Sequence, residues 1–129
     1  MTDEKEDKGY YNAEKIFIGH NSFSNLNGNL VNIYRGGSDE STLGPHLIFS
    51  HNILRNCKST GSPNSLITLI GVQQTEIFSN RFSNCNEDAT LILYNDKVRA
   101  KHYFERNSIS NSGRQEVNKY VIGKNNTAN

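Results

Sequence analysis

The chain has 129 residues, a formal charge of +1, 34% hydrophobic residues and 21% charged ones. That near-neutral balance excludes a global electrostatic pull toward nucleic acid or membrane, and no apolar run approaches the ~18 residues of a membrane span. Nineteen Asn and 13 Ser stand against four Ala, one Met and no Trp, which argues against a helical bundle because Asn and Ser compete with the helix backbone for hydrogen bonds. Recurring Phe, Tyr, Ile, Leu and Val argue against disorder. Two Cys are too few for a disulfide framework and leave the redox compartment open.

In chain order, residues 1–14 begin with the charged run Thr2 to Lys8, the opposite of a signal peptide, and read as a polar N-terminal segment or linker. Four short strand-like runs then recur: Ile16-Phe17-Ile18, Leu47-Ile48-Phe49, Glu76-Ile77-Phe78 and His102-Tyr103-Phe104. Each is followed by the pentapeptide Asn, any residue, large apolar, any residue, Asn. The copies are Asn21 to Asn25, Asn52 to Asn56, Asn80 to Asn84 and Asn107 to Asn111, spaced 31, 28 and 27 residues apart. A second apolar run lies between or after them: Leu30 to Tyr34, Leu66 to Ile70, Leu91 to Tyr94 and Tyr120 to Ile122. Residues 123–129 read as a disordered tail.

A fixed period in the range of 20–50 residues marks a repeat architecture. Short β-branched and aromatic runs separated by Asn, Gly and Ser are strands and turns. The expected fold is all-β: a right-handed parallel β-helix of about four coils over residues 15–122, cut from a longer solenoid. Equivalent residues would stack about 4.8 Å apart, with Phe23, Leu54, Phe82 and Ile109 as an inward ladder. Asn21, Asn25, Asn52, Asn56, Asn80, Asn84, Asn107 and Asn111 are expected to be structural corners, because Asn tolerates left-handed backbone and stacks through its amide. Cys57 and Cys85 each follow the second motif Asn. They should therefore be neighbours, as a reduced buried ladder or, by distance, a disulfide. His20 and His51 read as surface residues, and Asp39 with Glu40 as a solvated or turn-forming acidic pair.

Two irregular stretches interrupt the period, Arg35 to His46 and Lys58 to Ser65. The first concentrates a cation, two carboxylates and a His, and loops that bulge from a solenoid commonly line its binding face. Arg35, Asp39, Glu40 and His46 are thus the candidate substrate-binding residues; Arg35 could pair with a carboxylate bidentately or brace the loop through Asp39 or Glu40. A basic stretch spans 97–124, with seven cations against Glu105 and Glu116. Such a stripe would attract an anionic polysaccharide if it is not simply a solvated face.

Tyr34 to His46, followed by Phe49-Ser50-His51-Asn52, resembles polysaccharide lyase family 6, the alginate lyases and chondroitinase B. The approach Thr2 to Glu14, and Gly71-Val72-Gln73 with Ile77, Asn80 and Phe82, extend the likeness over residues 2–112. In the family's two-domain members two right-handed β-helices lie in tandem, and this chain is similar to part of the second. The resemblance implies that catalysis by a Lys base and an Arg acid, with a Ca²⁺ neutralising the substrate carboxylate, belongs to the first helix. The family's Arg-His-Gly is missing here, and Lys58-Ser59 lies in a Gly/Pro turn, so no catalytic role, metal or cofactor is expected in this segment.

What the resemblance implies is an accessory, non-catalytic β-helix segment serving uronate β-elimination. Its partners would be an alginate- or chondroitin-class polysaccharide and a catalytic β-helix domain of the same or another chain, with no nucleic acid or membrane. The setting would be extracellular or periplasmic. A free-standing carbohydrate-binding or structural β-helix is the alternative, and a small lyase using Arg35, His46 and Lys58 is a third possibility.

Overall fold

The structure, a computed structural model, describes residues 15–34, 46–96, 100–116 and 119–128. Among these residues the elements are all β-strands: β1 (Lys15–Gly19), β2 (Ser22–Ser24), β3 (Val31–Tyr34), β4 (His46–Ser50), β5 (Ile53–Arg55), β6 (Ser65–Ile70) and β7 (Gln74–Phe78). They continue as β8 (Arg81–Ser83), β9 (Thr90–Asn95), β10 (Lys101–Glu105), β11 (Ser108–Ser110), β12 (Arg114–Gln115), β13 (Val121–Lys124) and β14 (Thr127–Ala128). Every third strand joins the same sheet. The orders are β1-β4-β7-β10-β13, β2-β5-β8-β11-β14 and β3-β6-β9-β12, and every pairing is parallel. The chain is a parallel β-helix with three sheet faces.

Side chains alternate across each strand, so one set of columns fills the interior. On the first sheet Ile18, Phe49, Ile77 and Phe104 are in register, and the column ends at Gly123. On the second, Phe23, Leu54, Phe82, Ile109 and Ala128 align. On the third, Ile33, Leu69 and Tyr94 align, beside Val31, Ile67, Ile92 and Gln115. Leu47, Phe49, Leu54, Ile77, Phe82 and Leu91 are fully buried. Thin as it is, this ladder suffices for a core, which is why a low apolar content is compatible with the fold.

The two motif asparagines have different tasks. Left-handed backbone falls on the residue before the first Asn, at His20 (φ 58°), His51 (56°), Ser79 (56°) and Arg106 (52°). It falls again on the second Asn, at Asn25 (57°), Asn56 (54°), Asn84 (54°) and Asn111 (46°). A single such residue between extended segments redirects the chain, so each three-residue strand of the second sheet is bounded by two bends. The corner expectation therefore shifts by one residue for Asn21, Asn52, Asn80 and Asn107: none of them carries the left-handed angle. They form an amide ladder instead, exposed at Asn21 and buried at Asn52, Asn80 and Asn107.

Along that ladder the backbone N–H of Asn21 donates to Asn52 Oδ1 at 3.0 Å, Asn52 to Asn80 at 2.9 Å, and Asn80 to Asn107 at 3.0 Å. Each Nδ2 also donates to the preceding turn's carbonyl: Asn52 to Ile18, Asn80 to Phe49, and Asn107 to Ile77, at 2.8–3.0 Å. The outer asparagines make a weaker, exposed ladder, with Asn56 Nδ2 to Asn25 Oδ1 at 3.2 Å and Asn84 Nδ2 to Asn56 Oδ1 at 3.3 Å.

Two expectations for the C-terminal part are corrected. Tyr120-Val121-Ile122 was expected to be the third-face strand of the fourth repeat, but β13 belongs to the first sheet and begins a further turn. The third-face position is taken by the two-residue, polar β12. The backbone passes so close to Ala89 and Asn86 there that a Cβ on Gly113 would meet both their carbonyl oxygens. Nor are residues 123–129 a disordered tail as far as they are described. Lys124 ends β13 and β14 covers Thr127–Ala128. Asn126 extends the ladder, accepting from the Asn107 N–H at 2.9 Å and donating to the Phe104 carbonyl at 2.8 Å. Residues 1–14 lie outside the described residues.

Replacing Asn80 by Ala strands the Asn52 N–H and the Phe49 carbonyl, at ~1–3 kcal/mol for each buried group. Asn84→Gly should be nearly neutral, because Gly adopts the native φ of 54° freely. Urea unfolding should therefore give a clearly lower midpoint for Asn80→Ala than for Asn84→Gly. Equal midpoints would refute the division of labour between the two asparagines.

Candidate functional site

Of the four residues that the sequence nominates for substrate contact, Arg35, Asp39 and Glu40 lie outside the described residues. His46 is not in a loop but opens β4. Its Nε2 lies 2.8 Å from Glu76 Oε2 on the neighbouring strand. Lys58 sits in a bridge to Asn27, and Ser59 is buried with its N–H on Asn86 Oδ1 at 2.7 Å. The Lys-Ser pair is thus part of the frame.

The outward face of the first sheet spans five strands. Its middle column runs Phe17, Ile48, Glu76, Tyr103 and Ile122 in register across all five strands. Phe17 is 60% exposed and Ile122 48%. One flanking column reads Lys15, His46, Gln74 and Lys101, and the other Gly19, Ser50, Phe78, Glu105 and Lys124. The ring of Phe17 lies over Gly19, where a Cβ would collide with it. Arg106 stacks on Phe78 with its guanidinium 5.5 Å from the ring centroid. Beyond Phe78 the ridge carries His51, edge-on at 5.6 Å, and His20, stacked on His51 at 4.8 Å. The two histidines are exposed, as expected.

At the β7–β10–β13 end the same face opens into a groove of about 660 Å³, lined chiefly by Gln73, Gln74, Lys101, Lys119, Tyr120 and Ile122. Backbone pairing assembles it from three turns. The Lys101 N–H donates to the Gln73 carbonyl at 2.8 Å, and the His102 N–H to the Tyr120 carbonyl at 3.0 Å. Lys101 Nζ lies 5.5 Å from the Tyr103 ring centroid and Lys119 Nζ 5.1 Å from that of Tyr120. The contact with Tyr103 raises the Lys101 pKa. Of the basic stretch 97–124, Lys101 and Lys119 converge here. Arg106 turns to Glu105 at 3.4 Å, and Arg114 is on the third face.

A Thr–His–Asp array lies just beneath. Thr75 Oγ1 is 2.9 Å from His102 Nδ1, and His102 Nε2 is 2.7 Å from Asp96 Oδ1. It has the composition of a nucleophilic relay, but Thr75 and His102 are completely buried, and a nucleophile must reach its substrate. The array satisfies a His placed in a column that is apolar apart from Thr75, between Thr75 and Val121. Tyr94 packs on the imidazole at 4.6 Å and donates its hydroxyl to Gln115 Oε1 at 3.3 Å.

Both cysteines are free and buried, with thiols donating two residues back, Cys57 to the Arg55 carbonyl at 3.4 Å and Cys85 to that of Ser83 at 3.3 Å. Burial raises the Cys85 pKa. Among the described residues no group of three or more His, Cys, Asp or Glu is placed to hold a metal.

The fold and this face define a parallel β-helix protein with one open, column-patterned sheet. No protein-family profile matches the chain, and no curated protein matches it closely.

Burial, and secondarily the Asp96 charge, push the Tyr94 pKa well above its ordinary value of 10.0. Tyr94 therefore stays neutral when folded, while the unfolded chain ionises it. Its contribution is complete below about pH 10 and falls as pH rises beyond that. Unfolding midpoints followed from about pH 9 to about pH 11 should decline, and Tyr94→Phe should flatten the decline. An unchanged slope would contradict the buried, neutral phenol.

Proposed function

We propose that this chain is an accessory, non-catalytic β-helix segment of an alginate lyase/chondroitinase-B-like polysaccharide lyase. It lays an anionic uronate polysaccharide along the outward face of its first sheet, and β-elimination is carried by a catalytic β-helix domain of the same or another chain. The observation that carries this reading is the middle column Phe17, Ile48, Glu76, Tyr103 and Ile122, which runs along the solenoid axis. An elongated ligand lying on it meets a new rung about every 4.8 Å. Apolar and aromatic faces suit the C–H faces of sugar rings, and the Tyr hydroxyl supplies a polar tip. The flanking Lys15, Lys101 and Lys124 suit an anionic chain, and His46 takes up the Glu76 carboxylate at 2.8 Å. The likeness at Tyr34 to His46 supplies the substrate class. A free-standing carbohydrate-binding β-helix would use the same face without a catalytic partner.

Alginate and chondroitin oligosaccharides titrated into the chain should shift amides of β4, β7 and β10. Phe17→Ala with Tyr103→Ala should weaken binding about tenfold or more, the scale of losing buried aromatic contacts. Affinity should fall with salt, because the charges involved are exposed. Absence of binding to both polymers would sink the proposal. A rise in ultraviolet absorbance from unsaturated uronate products, with this chain alone, would replace the accessory reading with a catalytic one.

A further inference from the structure

We infer that the groove between the β7, β10 and β13 turns is a binding site for one carboxylate-bearing sugar unit, with Lys101 and Lys119 as the pair that holds the carboxylate. The inference rests on the carbohydrate-binding reading above and assigns the polar end of that face. The groove's volume of about 660 Å³ falls within the roughly 300–1,000 Å³ typical of small-molecule sites. Its chemistry is divided in a way that fits one class of ligand. Two ammonium groups line it, each held near an aromatic ring. Neither is paired with a carboxylate among the described ion pairs. Two uncompensated cations in one recess favour an anion, and together they match the two oxygens of a carboxylate.

The remaining lining suits the rest of a sugar. Tyr120 and Ile122 offer apolar surface to a ring face, and Gln74 offers an amide to hydroxyls. Gln73 carries the single buried side-chain polar atom without a hydrogen-bond partner among the described residues, its Oε1. An unpaired buried carbonyl oxygen is costly. Turning the Gln73 amide into the groove gives that oxygen a donor in a ligand hydroxyl, so binding relieves the cost. A simple anion would use only the lysines, whereas an acidic sugar uses both halves of the site.

The test uses sodium glucuronate and glucose as probes, with the amides of Gln73, Gln74, Lys101, Tyr120 and Ile122 followed by NMR. Glucuronate should shift them saturably, with glucose and sodium acetate each at least about tenfold weaker. Lys101→Ala with Lys119→Ala should remove the glucuronate shifts. Lys101→Arg with Lys119→Arg should keep them, and so should Phe17→Ala, whose ring lies on β1 away from the groove. Equal responses to glucose or acetate, or shifts that survive the double alanine variant, overturn the site. Alginate binding on the sheet face without any glucuronate response overturns the groove and leaves the proposed function standing. A glucuronate response without polymer binding does the reverse.

Discussion

The internal asparagine ladder is the constraint on which the other features depend. Parallel strands leave no hairpin partner, so each turn must land on the one before with the same register. At the bend between the first and second sheets the peptide N–H has no strand opposite it, and an unpaired buried N–H is costly. The Asn below supplies Oδ1 to that N–H, and its Nδ2 closes on the carbonyl three residues before the upper Asn. One side chain thus satisfies a donor and an acceptor of the turn above while spanning the interior. Only an amide of this length carries both an acceptor and two donors at that reach. A turn shifted by one residue would break both bonds and turn every core side chain outward.

With register held from inside, the outward face is free to vary. Inward columns are nearly invariant in character: Ile, Phe, Ile and Phe on the first sheet, and Phe, Leu, Phe and Ile on the second. The middle outward column combines Phe, Ile, Glu, Tyr and Ile, a mixture that stability does not demand. Exposed large apolar groups such as Phe17 and Ile122 contribute little to the core. Their alignment along the axis is a property of the surface and not of the core.

The period was legible because ladder and bends recur as Asn in sequence, at 31, 28 and 27 residues. The last turn was hidden because it is short: Asn126 follows Asn107 by 19 residues, and β12 contains no large apolar residue to announce a strand. Tyr120 to Ile122 was then counted as the missing third-face run, although its register is with His102 and Tyr103. The left-handed position was displaced by one because His, Ser and Arg occupy it without a common signal. The groove was only half visible. Its lysines lay in a recognised basic stretch, but Gln73 and Gln74 join them through the 27-residue offset between turns, which is a fact of register and not of local pattern.

His102 ties this surface to the interior. Every other described member of its column is apolar except Thr75, and a neutral or charged imidazole there needs both nitrogens satisfied. Thr75 satisfies one from the turn below and Asp96 the other, from the end of β9. The bond at 2.7 Å ties Asp96, just after β9, to the second residue of β10. The backbone N–H of residue 102 donates to the Tyr120 carbonyl at 3.0 Å, a ladder bond independent of the side chain. An apolar residue at 102 could fill the column equally well, but it would lose the tie to Asp96. The polar exception in the core therefore ties the end of β9 to β10, one residue from the Lys101 that lines the groove.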